Sequence, residues 1–292
     1  MRTSQTPLSL KDAHLINAML TIGYVLPLYF TKYTRLSFSK TQANNWSRSK
    51  NPSERWRDDP TVIKARLLSV SVSMIASLSL MHYIVVTNQS NATNSVWDTA
   101  TRYLGFSFRM RDLPAHLVTP MLFLGPLYGR YLARDLPFMR PRTLNKPNKN
   151  TFNWIVFRNY VIAPISEEVV WRSCLVCAYR LAGASNAFIV FFSPISFGSA
   201  HLHHVWETYN MYGRTRQALW RALLLTIFQF TYTTLFGFHS AFLLLRTGSL
   251  LPSISAHIFC NFMGFPQLQE ELQRYSHRRR RKPYLGLVSC FN

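Results

Sequence analysis

Two stretches of this chain run without formal charge for longer than a soluble helix tolerates. Residues 67–86 are twenty positions with no Asp, Glu, Lys or Arg, and residues 223–245 form a longer run of the same kind. A helix needs roughly 20 such residues to cross the hydrocarbon of a bilayer. A helix packed in a water-soluble core would show a strongly polar face at helical period. These runs offer only Ser, Thr, Gln, Tyr and His there. Further apolar segments at 15–30, 114–129, 154–163, 166–178, 187–200 and 250–265 are shorter. Some of them would be broken or re-entrant, which is tolerated only where protein shields the backbone. The pattern predicts an all-α, polytopic transmembrane bundle of about seven or eight helices enclosing a polar cavity.

The chain is 48% hydrophobic with a mean hydropathy of zero, because basic segments lie between the apolar runs. The net charge of +21 raises nucleic acid as a partner. The cations flank apolar runs, however, and no aromatic-basic recognition motif is present. They read instead as positive-inside loops attracted to anionic headgroups, so membrane lipid is the expected partner and nucleic acid is not. Residues 32–66 carry nine Lys or Arg against three acids, residues 87–112 are nearly balanced, and 130–149 are basic again. This alternation puts 32–66 in the cytosol and the N-terminus on the other side. Of the sequons at Asn45, Asn88 and Asn91, the charge rule then exposes the latter two to glycosylation, poorly because both sit close to a helix end. His277 to Lys282 fits a juxtamembrane cytoplasmic patch. No compact signal peptide with a small-residue cleavage site is visible, so the first apolar run is expected to stay as an anchor. Cys290 stands third from the end, not fourth, so the chain is not expected to be prenylated itself. Cys174 and Cys177 form a C-x-x-C without a second pair, and read as packing residues in an apolar helix.

Ionisable residues inside such segments are costly and by default functional, and the second half of the chain concentrates them. In Ser166-Glu167-Glu168-Val-Val-Trp-Arg172, Glu168 and Arg172 are four apart and can pair on one helix face. Glu167 points about 100° away and is left to face a cavity. Pro164 upstream suits a helix start. In Phe197-Gly-Ser-Ala-His201-Leu-His203-His204-Val-Trp-Glu207, His201 and His204 share a helical face, as do His203 and Glu207. A metal site or a single catalytic imidazole both suit this group, although H-E-x-x-H is missing. His257 and Asn261, four apart, present two hydrogen-bond donors on one face. A carboxylate, an imidazole and paired donors suffice for water activation by a general base with oxyanion stabilisation, and no Ser or Cys nucleophile is required.

These motifs resemble those of the type II CAAX prenyl endopeptidases, the Ras-converting kind, within the larger group that includes bacteriocin-processing and abortive-infection membrane proteins. E-E-x-x-x-R is carried by Glu167, Glu168 and Arg172, F-x-x-x-H by Phe197 and His201, and H-x-x-x-N by His257 and Asn261. The similarity runs over about residues 153–266, and its flanks look like the eukaryotic branch. The resemblance implies removal of the last three residues of farnesylated or geranylgeranylated C-a-a-X proteins, such as small GTPases, at the endoplasmic reticulum membrane. It implies that Glu167 with His201 activates water, that His257 and Asn261 hold the oxyanion, that Glu168 and Arg172 support the site, and that neither metal nor cofactor is needed. Residues 1–150 would then be N-terminal membrane helices and basic loops, 151–270 the catalytic core and 271–292 a basic tail. A related protease with another peptide substrate or a metal requirement, and a non-enzymatic membrane scaffold, are the alternatives. Nothing resembles the paired inverted repeats of transporters.

Overall fold

This computed structural model describes residues 8–39, 50–88, 96–132 and 152–264, with 134, 136 and 139. Asn45, Asn91, Cys290, the patch at 277–282 and most of the basic stretch 130–149 lie outside the described residues. The described chain is helical, and its only strand-like pairings are isolated bridges between Ser37 and Arg55 and between Phe106 and Ser249.

The helices follow the apolar runs. α1 spans Leu10–Val25, capped by a Ser9–Asp12 capping box, and continues into a 3₁₀ turn at Leu26–Tyr29. α2 spans Pro60–Asn88. The short α3 (Val96–Tyr103), α4 (Ala115–Leu122) and α5 (Leu124–Leu132) follow. α6 (Trp154–Phe157), α7 (Ala163–Glu168) and α8 (Leu175–Leu181) come next, then α9 (Asn186–Ser199), α10 (His204–Met211), α11 (Arg216–Thr247) and α12 (Leu251–Met263).

Two expectations change here. Segments 154–163 and 166–178 are not separate helices, and Pro164 does not begin one. α6, α7 and α8 form one continuous run, joined by π-helical turns at Arg158–Ile162 and Val169–Cys174. A proline inside a helix removes one backbone donor and crowds the preceding turn, and the wider π turn just before Pro164 accommodates both effects. Such turns are frequent at functional sites, and here they bracket Glu167 and Glu168. The second change is at the His cluster. α9 ends at Ser199, and the next turns are tight: His201 N–H bonds Gly198 O, Leu202 bonds Ser199 and His204 bonds His201, each at 3.0 Å and three residues back. Despite this tighter winding, His203 stays beside Glu207, and His204 Nδ1 bonds Glu207 Oε2 directly.

The burial pattern is inverted relative to a soluble protein. The inward positions of α11 are mostly small or hydroxylic, including Ala222, Thr226, Thr233, Gly237 and Ser240. Its outward positions are large and apolar, including Trp220, Leu224, Ile227 and Leu235. Leu15, Met19 and Ile22 on α1 and Leu68, Val72 and Ile75 on α2 are likewise exposed. An apolar exterior of this extent marks a surface that does not face water. By length and composition, one helix among the described residues, Pro60–Asn88, is apolar enough to cross a membrane. The 223–245 run does form a helix, but its Thr, Tyr, Gln and His residues dilute its hydropathy.

Small residues bring α9 and α11 together. A Cβ on Gly237 would stand 2.5 Å from Pro194 Cβ, and one on Gly198 would collide with Thr234 Oγ1. Close backbone approach through small residues is the usual means of helix association where no hydrophobic drive exists. Hydrogen bonds complete the bundle: Ser73 Oγ donates to the Gly23 carbonyl at 2.9 Å, and Tyr24 Oη meets Ser166 Oγ at 2.8 Å.

Candidate active site

The two adjacent glutamates of α7 have different surroundings. Glu168 is fully buried and saturated from three helices. Arg172 Nε lies 3.1 Å from Oε2, Ser240 Oγ of α11 donates to Oε2 at 2.6 Å, and His257 Nδ1 of α12 donates to Oε1 at 2.8 Å. Ser240 is tied in turn to α12, since Ser253 Oγ donates to its carbonyl at 2.9 Å. The i,i+4 pairing of Glu168 with Arg172 is therefore as the spacing required. Ser240 carries no sequence signal: nothing distinguishes it from the other hydroxyls of α11 until the helices pack.

Arg172 is buried at 2% exposure. Its guanidinium lies 4.3 Å from the Phe197 ring centroid and 5.5 Å from that of Phe236. Aromatic faces stabilise a desolvated cation electrostatically. This accounts for the Phe of F-x-x-x-H, a residue the motif named without a task.

Glu167 faces a cavity that it lines together with His201. Facing it is the imidazole of His257, whose Nε2 is 3.7 Å from Glu167 Oε2. The sequence left Glu167 without a partner, and spacing within one helix could not supply this one. His257 thus stands between the two carboxylates, with Nδ1 oriented by Glu168 and Nε2 turned toward Glu167. The Nδ1–H of His201 donates to the Phe197 carbonyl at 2.8 Å, so in the neutral ring Nε2 is the unprotonated nitrogen. Asn261 lies one turn beyond His257 on α12 and is exposed. Its Nδ2 donates to the Asn159 carbonyl at 2.9 Å, within the first π turn.

A family model for the type II CAAX prenyl endopeptidases, Rce1-like, matches residues 149–263. CAAX prenyl protease 2 of Arabidopsis thaliana is 42% identical over 224 residues, covering 70% of this chain and 68% of that protein. The Homo sapiens CAAX prenyl protease 2 is 36% identical over 237 residues, 77% of this chain and 68% of its own length. A probable CAAX prenyl protease 2 of Schizosaccharomyces pombe is 33% identical over 223 residues, 76% and 75% of the two chains. No solved structure matches. The chain belongs to the type II CAAX prenyl endopeptidase family. It is a protease of a membrane family, and every motif residue named above falls inside the matched span.

Much of the rest of the cavity lining is basic. Arg57, Arg66 and Arg158 line the same cavity as Glu167 and His201, as do His203 and His204. Arg66 Nη2 donates to Glu207 Oε1 at 2.7 Å, while His204 Nδ1 donates to Glu207 Oε2 at 2.9 Å. His203, His204 and Glu207 bring their ligand atoms within 4.8 Å of one another, close enough for a cation. Both oxygens of Glu207 are already engaged, however, one of them by a permanent cation. Arg57 and Arg66 were visible in the sequence only as loop charge. Apolar residues share the lining: Val25 at the end of α1, Leu28 in the 3₁₀ turn after it, and Leu67 and Val70 of α2. The cavity therefore offers both apolar and cationic groups around one carboxylate.

Proposed function

We propose that this chain is a membrane-embedded endopeptidase that removes the C-terminal aaX tripeptide from farnesylated or geranylgeranylated CAAX proteins, small GTPases among them. It would do so as a multi-pass bundle in the endoplasmic reticulum membrane. The observation that carries the reading is the asymmetry of the glutamate pair: Glu168 is consumed by Arg172, His257 and Ser240, whereas Glu167 faces the cavity.

In this mechanism Glu167, with His201, takes a proton from water as it attacks the scissile carbonyl. A general base of this kind contributes roughly 10²–10⁴ in rate. Glu168 holds His257 in one orientation, and His257 stabilises the oxyanion. Asn261 assists through its second amide N–H, the first being given to Asn159. Collapse of the intermediate releases the tripeptide with a new α-amine and leaves a carboxylate on the prenylated cysteine. The apolar part of the lining suits the lipid, and a prenyl chain would itself concentrate the substrate in the bilayer. Residues 151–270 would be the catalytic core and 1–150 its membrane scaffold.

The test is cleavage of a farnesylated C-a-a-X peptide by the purified chain, alongside Glu167→Ala. Release of the tripeptide by wild type and loss of at least about 10²-fold in the variant are expected. Near-wild-type activity in the variant would remove Glu167 from the mechanism. A metal-dependent reading draws on His203, His204 and Glu207. It requires chelator to abolish cleavage and zinc to restore it.

A further inference from the structure

The cavity wall carries one cation with no task in the mechanism above. Arg66 is held by Glu207, and Arg158 donates to Asp58 Oδ1 at 2.9 Å. Arg57 has no ion pair or side-chain hydrogen bond among the described residues, and its side chain is exposed while lining the cavity.

Its backbone, by contrast, is anchored on every side. Glu54, three residues earlier, is buried and accepts from Ser39 N and Oγ at 2.6 Å, Asn51 N at 3.1 Å and Trp56 Nε1 at 2.9 Å. Burial pushes the Glu54 carboxyl up, but these hydrogen bonds outweigh it and hold it down at about 2. Trp56 N–H donates to Asp59 Oδ2 at 2.7 Å, at the entrance to α2. Arg158 Nη1, from the first π turn, donates to the Arg57 carbonyl itself at 3.0 Å. A loop fastened this way presents the Arg57 guanidinium to the cavity at small entropic cost.

We propose that Arg57 is a specificity residue that binds the free C-terminal carboxylate of the substrate, with Arg158 beside it fixing the loop. This rests on the proteolytic reading and adds to it how the enzyme measures three residues from the end. An extended tripeptide spans about 10 Å, so a carboxylate held at Arg57 sets which peptide bond reaches Glu167. Guanidinium is suited to carboxylate by its planar, two-donor edge. A lipid phosphate shares that anionic chemistry, and the experiment separates the two.

The experiment compares two farnesylated peptides of one sequence, ending in a free acid or in an amide. Full-length wild type, Arg57→Gln and Arg57→Lys are assayed in phosphatidylcholine vesicles with and without phosphatidylserine. A charge-assisted contact predicts that wild type favours the acid by about tenfold or more in kcat/KM, carried mainly by KM. Arg57→Gln should bring the acid-to-amide ratio toward one, and Arg57→Lys should restore part of it. Equal cleavage of acid and amide by wild type overturns the carboxylate site and leaves the proteolytic reading standing. So does an Arg57→Gln effect that is the same for both peptides and appears only with phosphatidylserine. Failure to cleave either peptide overturns both.

Discussion

Glu167 and Glu168 are chain neighbours in opposite environments, which makes their amides informative. Glu168→Gln removes the charge that balances Arg172, a residue at 2% exposure. Leaving one member of a buried pair alone costs about 3–5 kcal/mol, so this variant should unfold at markedly lower temperature in detergent. Glu167→Gln removes no such counter-charge. It should unfold near the wild-type temperature and still lose roughly 10²–10⁴ in cleavage rate. Thermal unfolding and peptide cleavage on the two proteins check this, and equal destabilisation would make both glutamates structural. The pairing of Glu168 with Arg172 could be read from i,i+4 spacing. The second and third partners, His257 and Ser240, are 89 and 72 residues away, and nothing local encodes which of many hydroxyls meets the carboxylate.

At the scale of elements, the α9–α11 contact is the most sensitive to side-chain size. Gly237 faces Pro194, whose ring is rigid, with 2.5 Å between the added Cβ and Pro194 Cβ. Gly198 faces the Thr234 hydroxyl, and a helical Thr has two accessible rotamers. Gly237→Ala should therefore lower the unfolding temperature more than Gly198→Ala, with an overpacking cost of about 1–3 kcal/mol. Paired melts of the two variants measure the order. The sequence showed apolar runs with small residues in them, but not which glycine would meet a proline. It also missed the π turns around Glu167, because hydrophobic period does not distinguish 3.6 from 4.4 residues per turn over one turn.

At the scale of the molecule, the Arg57 and Arg66 edge of the cavity belongs to the 32–66 segment, the most basic described connection. If the positive-inside rule orients the chain, this side faces the cytosol, where prenylated proteins are made. Single cysteines placed in 50–59 should react with an impermeant thiol reagent only from the cytosolic face of intact microsomes. Cysteines in 106–112 should react only from the lumenal face. The reverse labelling would invert the topology and bury the cavity mouth on the wrong side.

The sequence by itself determined the helical class and the family. Charge-free runs of membrane length leave few folds open, and carboxylate, imidazole and amide at helical spacings within them narrow the reaction. Tertiary packing decided the division of labour. Which carboxylate is spent on structure, which imidazole stands between the pair, and which arginine is left uncompensated at the cavity all depend on contacts between helices far apart in the chain. Such contacts follow from how the helices pack, which periodicity within one helix does not specify.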